Sequence, residues 1–282
     1  LKIISERYSI GINLHRSAFF GIIFFFAGIK KRIGFGDSPF LNHKIKYDDS
    51  FHESKKFLAL LSPLDYKQIV ELPSITADEK TIESAKNILI RNGITKDDLL
   101  IGIYADGGRN PGQVMEIRQL GSEKYVEFIQ SASKKYDRIK FLLINSKEGK
   151  GNAEEINNRF SGDRVVLLSS LSLKEVAAIS SLCKVFIGGD TGILHLASAT
   201  GTPVLMFYGP DDPKQWAPLG VDHKIIFHKI ECSPCYTPIT LKDKRNFKAN
   251  VFICKRGDAL CMSGITVDEI MTAFDEIMET QI

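Results

Sequence analysis

Lys184–Gly209 reads KVFIGGDTGILHLASATGTPVLMFYG, and the order of residue types in it decides the fold. Val185–Ile187 is a short apolar run, the mark of a buried strand, and Gly188 and Gly189 break it. Thr191 and Gly192 open a helix of small residues that runs to Ala199 and is stopped by Gly201-Thr202-Pro203. Val204–Tyr208 is a second apolar run. Strand, glycine turn, helix N-terminus and strand is how an open α/β sheet builds an anion site. The turn bares backbone N–H groups, and the helix dipole favours negative charge there.

The same alternation extends on both sides. Leu99–Tyr104, Lys140–Ile144, Val165–Leu168 and Lys224–Phe227 read as strands. Between them Ser122–Tyr136, Asn152–Phe160 and Leu173–Leu182 read as helices, the last opened by the capping-box pair Ser172 and Glu175. Strands separated by helices of this length imply right-handed crossovers and a parallel sheet. Ligands of such sheets sit beyond the carboxyl ends of the strands, so the loops after Tyr104, Ile144, Leu168, Ile187 and Tyr208 are expected on one rim. A closing helix over Thr266–Met278 carries the apolar stripe Val267, Ile270, Met271, Phe274 and Ile277.

Upstream, Tyr8–Leu14 reads as a strand, Ser17–Gly28 as an apolar helix, Lys31–Gly36 as a strand or turn and His52–Leu61 as a helix. Residues 73–93 read as a linker and helix ending at Gly93. That is only about two βα units, too few strands to bury much surface alone. The expected domains are 1–92, partial, and 93–282. The chain opens on Leu1 without a Met, linker or cap, which reads as an N-terminal truncation.

At 282 residues, with 44% hydrophobic and 25% charged residues, the composition is that of a soluble globular protein. A net charge of +3 is too small to argue for nucleic acid, but it suits an anionic substrate or an anionic membrane surface. Ala18–Ile29 (AFFGIIFFFAGI), followed by Lys30, Lys31 and Arg32, falls short of the roughly 20 residues a span needs. It reads as a buried helix, with a peripheral membrane contact as the alternative. There is no repeat, no low-complexity segment, no Walker loop, no GxSxG or HExxH, and no GxGxxG after a strand.

Asp190, Thr191, Gly192 and His195 are the first candidates for chemistry. Gly192 admits a phosphate close to the backbone, Thr191 can cap the helix or bond a phosphate oxygen, and His195 lies one turn on. The competing reading is a helix cap with a buried, satisfied histidine. Gly209-Pro210-Asp211-Asp212-Pro213 lies on the same rim, as a rigid turn or as a loop that holds the ligand. Tyr104–Arg118 is a long glycine-rich loop in which Arg109 and Arg118 are candidates for phosphate contact or are solvated surface charges. Cys232, Cys235, Cys254 and Cys261 have a partial metal-ligand spacing; zinc, disulfides and reduced packing thiols all remain open. Cys183, at a helix end, reads as core.

The run Gly188–Pro218, GGDTGILHLASATGTPVLMFYGPDDPKQWAP, resembles the bacterial ADP-heptose:lipopolysaccharide heptosyltransferase family (glycosyltransferase family 9). That family shows a similar Asp-(Ser/Thr)-Gly, His-x-Ala-x-Ala, Gly-x-Pro, a Gly-Pro turn and Trp-x-Pro. The tail CSPCY…C…CMSGITVDEI, with Lys31–Gly34 and His52–Leu61, extends the likeness over nearly the whole chain. The resemblance implies a GT-B-like α/β fold of two Rossmann-like domains, the first incomplete here, with the nucleotide sugar on the second. It implies an inverting transfer of a sugar, heptose by the family's type, from a nucleotide diphosphate to a lipopolysaccharide core acceptor. No cofactor and no metal are called for. The enzyme would be cytoplasmic, with a peripheral inner-membrane contact. By position Asp190, Thr191, Gly192, His195 and Gly209 are expected at the donor, Arg118 at its phosphates and Glu148 at the nucleoside. Tyr104-Ala-Asp-Gly-Gly departs from the family's phosphate loop. The family's general base lies in a first strand and loop expected upstream of Leu1. The alternative is therefore a non-catalytic nucleotide-sugar-binding remnant.

Overall fold

The structure is a computed structural model. It describes residues 2–66, 69, 71–107, 109–110, 113–145, 151–237 and 246–280, without the side chains of 109, 110 and 113. Two units form, residues 1–71 with 214–216, and residues 72–213 with 217–282.

In the first unit a short helix, Lys2–Ser5 (α1), precedes the strand Ile10–Asn13 (β1) and the apolar helix Ala18–Phe26 (α2). Ser17 caps α2 by accepting from the Phe19 N–H. Lys31–Phe35 (β2) and His43–Ile45 (β3) complete a parallel sheet in the order β1-β2-β3. Ile33, Phe35 and Leu60 form its small core. The helix Glu53–Ala59 (α3) carries two charges that its sequence would place in water, yet Glu53 and Lys56 are buried. Lys56 Nζ donates to Glu53 Oε1 at 2.9 Å and to Gln215 Oε1 at 2.7 Å, and lies 4.4 Å from the centre of the Tyr47 ring. Burying such charges is tolerable only because they are paired and hydrogen-bonded. The apolar helix α2 is not buried as expected: only Gly21 is enclosed, while Phe19 and Phe26 are 60% and 73% exposed.

The second unit begins before the boundary expected at residue 92. Glu79–Arg91 (α4) packs Ala85 and Leu89 against Val176 and Ile179, and the Ile75 N–H donates to the Ala199 carbonyl at 2.7 Å. Burial, which local sequence does not report, assigns α4 to this unit. Leu99–Tyr104 (β4) is followed by a small hairpin, Arg109–Asn110 (β5) and Gln113–Val114 (β6). Next come Ser122–Lys135 (α5), Ile139–Ile144 (β7), Asn152–Asn157 (α6), Val165–Leu168 (β8) and Leu173–Ser180 (α7). Val185–Gly189 (β9), Gly192–Ala199 (α8) and Val204–Tyr208 (β10) follow, then Pro213–Trp216 (α9), of which residues 214–216 count with the first unit, and His223–Phe227 (β11). The main sheet is parallel, in the order β11-β10-β9-β4-β7-β8. Counted along this sheet's own strands, that is the doubly wound order, and it reverses between β4 and β9.

Side chains alternate through the strands. Val185, Ile187, Leu205 and Phe207 face a core built with α5 and α6, whereas Phe186, Val204, Met206 and Tyr208 face one built with α4, α7 and α8. Both faces are covered, which is why these strands read as continuous apolar runs. The tail adds Phe247–Lys248 (β12), Val251–Phe252 (β13), Leu260–Ser263 (α10) and Val267–Thr280 (α11). The stripe predicted for α11 joins the first core through Ile270, Phe274 and Ile277. The strands β12 and β13 pair with the β5–β6 hairpin in a second small sheet, so the tail is bound to the loop that follows β4.

At the reversal the two strands approach closely. A Cβ on Gly188 would lie 2.5 Å from the Tyr104 carbonyl oxygen and 2.8 Å from Leu194 Cδ2. Because the nearer neighbour is backbone, Gly188→Ala is expected to destabilise the protein by about 1–3 kcal/mol, the usual cost of overpacking. Urea unfolding, read as a lowered midpoint at unchanged slope, measures it.

Candidate functional site

Asp190 and Thr191 leave β9 where the sheet order reverses, and Thr191 is the N-cap residue of α8. Its carbonyl accepts from the Leu194 and His195 N–H groups at 3.1 and 3.2 Å, but its side chain makes no capping bond. Thr191 Oγ1 is buried and has no hydrogen-bond partner among the described residues. An unpaired buried hydroxyl carries a desolvation cost, and this one lies at a helix start, where backbone N–H groups and the dipole favour negative charge. Gly107, after β4, comes so close that a Cβ there would meet Thr191 Cγ2 at 2.6 Å. The two loops that flank the switch point therefore share one wall.

His195 is not the buried, satisfied histidine of the competing reading. Its side chain is 39% exposed, and Nε2 lies 3.3 Å from Asp190 Oδ1. Asp190 itself is largely enclosed. The carboxylate orients the ring, and part of the imidazole stays open to solvent.

Arg118 ends a turn of 3₁₀ helix, Glu116–Arg118. Its carbonyl packs on β9, where a Cβ on Gly189 would approach it to 3.0 Å. The guanidinium is ion-paired with Asp211 through a short Nη2–Oδ1 contact and lies 4.7 Å over the Tyr236 ring. Arg118 Nε is buried without a hydrogen-bond partner among the described residues, as is Asp211 Oδ2. Burial works against the Arg118 charge, but the Asp211 and Asp190 carboxylates more than reverse this and hold its pKa above the ordinary value. For Asp211, burial pushes the carboxyl up, the Arg118 guanidinium pulls it back, and the Asp190 carboxylate pushes it up again. Arg118 is thus not a solvated surface charge, and nothing local in the sequence marks Asp211 as its partner. The turn residues Gly209 and Pro210 hold Asp211 through their carbonyls: Ser233 Oγ donates to Gly209 O, and the Cys235 and Tyr236 N–H groups donate to Pro210 O at 2.9 and 2.8 Å.

Among the described residues, the structure brings together Asp190, Thr191, Gly192, His195, Arg118 and Gly209 within this second unit. Glu148 lies outside the described residues, as does the side chain of Arg109.

The four late cysteines gather on one cavity of about 260 Å³ that Phe252 and Leu260 also line. All are free. The Cys235 thiol is pushed up to about 11, first by burial and then by the other three thiols. Among the described residues no group of three or more His, Cys, Asp or Glu side chains is arranged to hold a metal ion. Cys183 is a core residue whose thiol donates to the Ile179 carbonyl, with burial raising its pKa to about 12.

A family model for glycosyltransferase family 9 (heptosyltransferase) matches residues 2–244. Lipopolysaccharide heptosyltransferase 1 of Pseudomonas aeruginosa is 23% identical over 116 residues, 41% of this chain and 33% of that protein. The chain thus spans about a third of the curated relative it matches. Among solved structures, E. coli ADP-heptose LPS heptosyltransferase II superposes with a TM-score of 0.70 at 15% identity, covering 99% of this chain and 79% of that one. A family 9 glycosyltransferase of Veillonella parvula gives 0.73 at 16% identity, with coverages of 99% and 76%. E. coli heptosyltransferase WaaC with ADP gives 0.61 at 16%, with coverages of 97% and 74%. These likenesses carry the fold, which is α/β and of the GT-B type.

Because Thr191 Oγ1 bonds nothing among the described residues, Thr191→Val is expected to leave the melting midpoint within about 2 °C of the parent. The same change is expected to weaken binding of a nucleoside diphosphate such as ADP about tenfold, the loss of one hydrogen bond to a charged oxygen. Calorimetry beside a thermal melt separates the two effects.

Proposed function

The chain belongs to glycosyltransferase family 9, the heptosyltransferases, and on that premise we propose that it is an inverting glycosyltransferase whose second unit binds a nucleotide-diphosphate sugar. ADP-heptose is the proposed donor and a lipopolysaccharide core hydroxyl the acceptor. The observation that carries the reading is the pair of buried polar atoms at the carboxyl edge of the switch strands, Thr191 Oγ1 and Arg118 Nε, that have no hydrogen-bond partner among the described residues. Two enclosed hydrogen-bonding groups without partners are what a diphosphate site presents before its ligand arrives.

In the proposed reaction the acceptor oxygen attacks the anomeric carbon from the face opposite the diphosphate. The new C–O bond forms as the bond to the diphosphate oxygen breaks, and the electron pair leaves with the nucleoside diphosphate. The acceptor proton passes to a general base, a role we assign to none of the residues above. Negative charge grows on the leaving oxygen. The N-terminus of α8 and the fixed donors of Thr191, Arg118 and His195 are placed to stabilise it without reorganising. Asp190 positions His195.

Titration with ADP-, GDP- and UDP-sugars tests the donor class. Binding of the ADP sugar is expected to be the tightest, and Asp190→Ala and His195→Ala are each expected to weaken it at least about tenfold. Normal binding by both variants would remove the site from this position. Binding without transfer to a core acceptor would favour the binding-only reading.

Among the described residues no helix is long and apolar enough to cross a membrane. We further propose a peripheral contact with the cytoplasmic face of an anionic membrane through α2. Phe19, Phe25 and Phe26 on it are exposed, and Lys30 follows within one turn of chain. Apolar insertion beside basic charge is the pattern of an interfacial helix. Co-sedimentation with vesicles containing phosphatidylglycerol is expected to fall sharply for Phe26→Glu, while pure phosphatidylcholine vesicles retain little of either protein.

A further inference from the structure

Arginine is a long side chain that ordinarily samples many rotamers, yet Arg118 is held from three directions. Its carbonyl rests over Gly189, its Nη2 meets Asp211, and the Tyr236 ring lies under its guanidinium. Both outer contacts depend on the same piece of chain. Segment 233–236 supplies Tyr236 directly, and it fixes Asp211 by donating Ser233 Oγ to Gly209 O and the Cys235 and Tyr236 N–H groups to Pro210 O. The guanidinium Nε is buried without a hydrogen-bond partner among the described residues. Resting on the donor-site reading above, we propose that Asp211 and Tyr236 are positioning residues that clamp Arg118 and aim its guanidinium at the donor diphosphate. The cysteine-bearing tail is by this account a wall of the donor site and not an appendage to it.

The charge distribution supports aiming over simple attraction. Asp211 is 1% exposed, so its carboxylate cannot reach solvent or an acceptor, and what it touches is Arg118. Tyr236 contributes a face instead of a charge. A guanidinium over an aromatic ring is held in plane without using its N–H groups.

The test is calorimetric titration of the whole protein with ADP, with a thermal melt of every variant. Asp211→Ala and Tyr236→Ala are each expected to weaken ADP binding about tenfold, the scale of one ion-pair or cation–π contact. Tyr236→Phe, which keeps the ring, should recover binding to within about threefold of the parent. In an Arg118→Ala background, neither alanine variant should add more than about a further twofold, because the residue they act through is gone. A merely structural role would give losses that multiply with Arg118→Ala and no recovery with phenylalanine, and either outcome overturns the clamp. ADP binding at the parent level by Tyr236→Ala, whose side chain is only half-buried and which tests the clamp even if Asp211→Ala fails to fold, also overturns it. If the parent binds ADP and Arg118→Ala binds it equally well, the clamp falls while a donor site at Asp190, Thr191 and His195 stands. If the parent binds no ADP, both fall.

Discussion

The closeness of β4 and β9 at their carboxyl ends is the constraint on which the rest of the second unit depends. The sheet order reverses between them, so the chain leaves these two strands in opposite directions and opens a crevice at their ends. The crevice can hold a ligand only if its walls come within hydrogen-bonding reach of one another. Three glycines make that possible. Gly188 lies against the Tyr104 carbonyl, Gly189 under the Arg118 carbonyl, and Gly107 against Thr191. A side chain at any of them would push apart the elements that carry Thr191, Arg118 and Asp190. The glycines are spent on proximity more than on turning: Gly188 and Gly189 lie within β9 itself, and of the three only Gly107 has a positive φ, at 147°.

How much of this the sequence reveals depends on the range of the interaction. The strands Leu99–Tyr104, Val165–Leu168 and Val204–Tyr208 have the bounds their apolar runs predict, because strands buried on both faces need nothing but local hydrophobicity. The capping box at Ser172 and Glu175 is equally local and forms as read. Short pieces held by neighbours are not legible. His43–Ile45 and the two-residue strands β5, β6, β12 and β13 owe their existence to pairing partners elsewhere in the chain. The same limit hides the burial of Lys56 and Glu53 in α3, whose sequence resembles that of a solvated helix face. It also hides the ion pair of Arg118 with Asp211, residues that read separately as a loop charge and a turn former. The late cysteines show the intermediate case. Their spacing suggests that they belong together, and they do share a cavity, but no local pattern says how the sulfurs are arranged within it.

The electrostatics of the crevice are unlike those of a basic patch. Arg118 is a permanent cation, while Asp190 and Asp211 are both carboxyls, so the charged side chains bring no net positive charge to an anion. Pairing with Asp211 weakens the attraction between Arg118 and any phosphate. At separations of about 4 Å and the effective dielectric of a protein surface, a unit-charge interaction is worth about 4 kcal/mol, and a carboxylate beside the arginine offsets part of it. Against that stands the entropy of an unrestrained arginine, about 2 kcal/mol of rotamer freedom that binding would otherwise remove. The carboxylate offsets only part of the attraction, and on the proposed reading the rotamer freedom already given up, with the fixed aim of the guanidinium, outweighs that part, so the clamped arginine is the tighter binder. On that reading it would also bind more selectively, since the plane of its guanidinium is fixed by Asp211 and the Tyr236 ring. The attraction that side-chain charge does not supply comes from the N-terminus of α8, whose N–H groups and dipole are fixed in the backbone. On the proposed reading, a site built this way would recognise the shape and direction of a phosphate group as much as its charge.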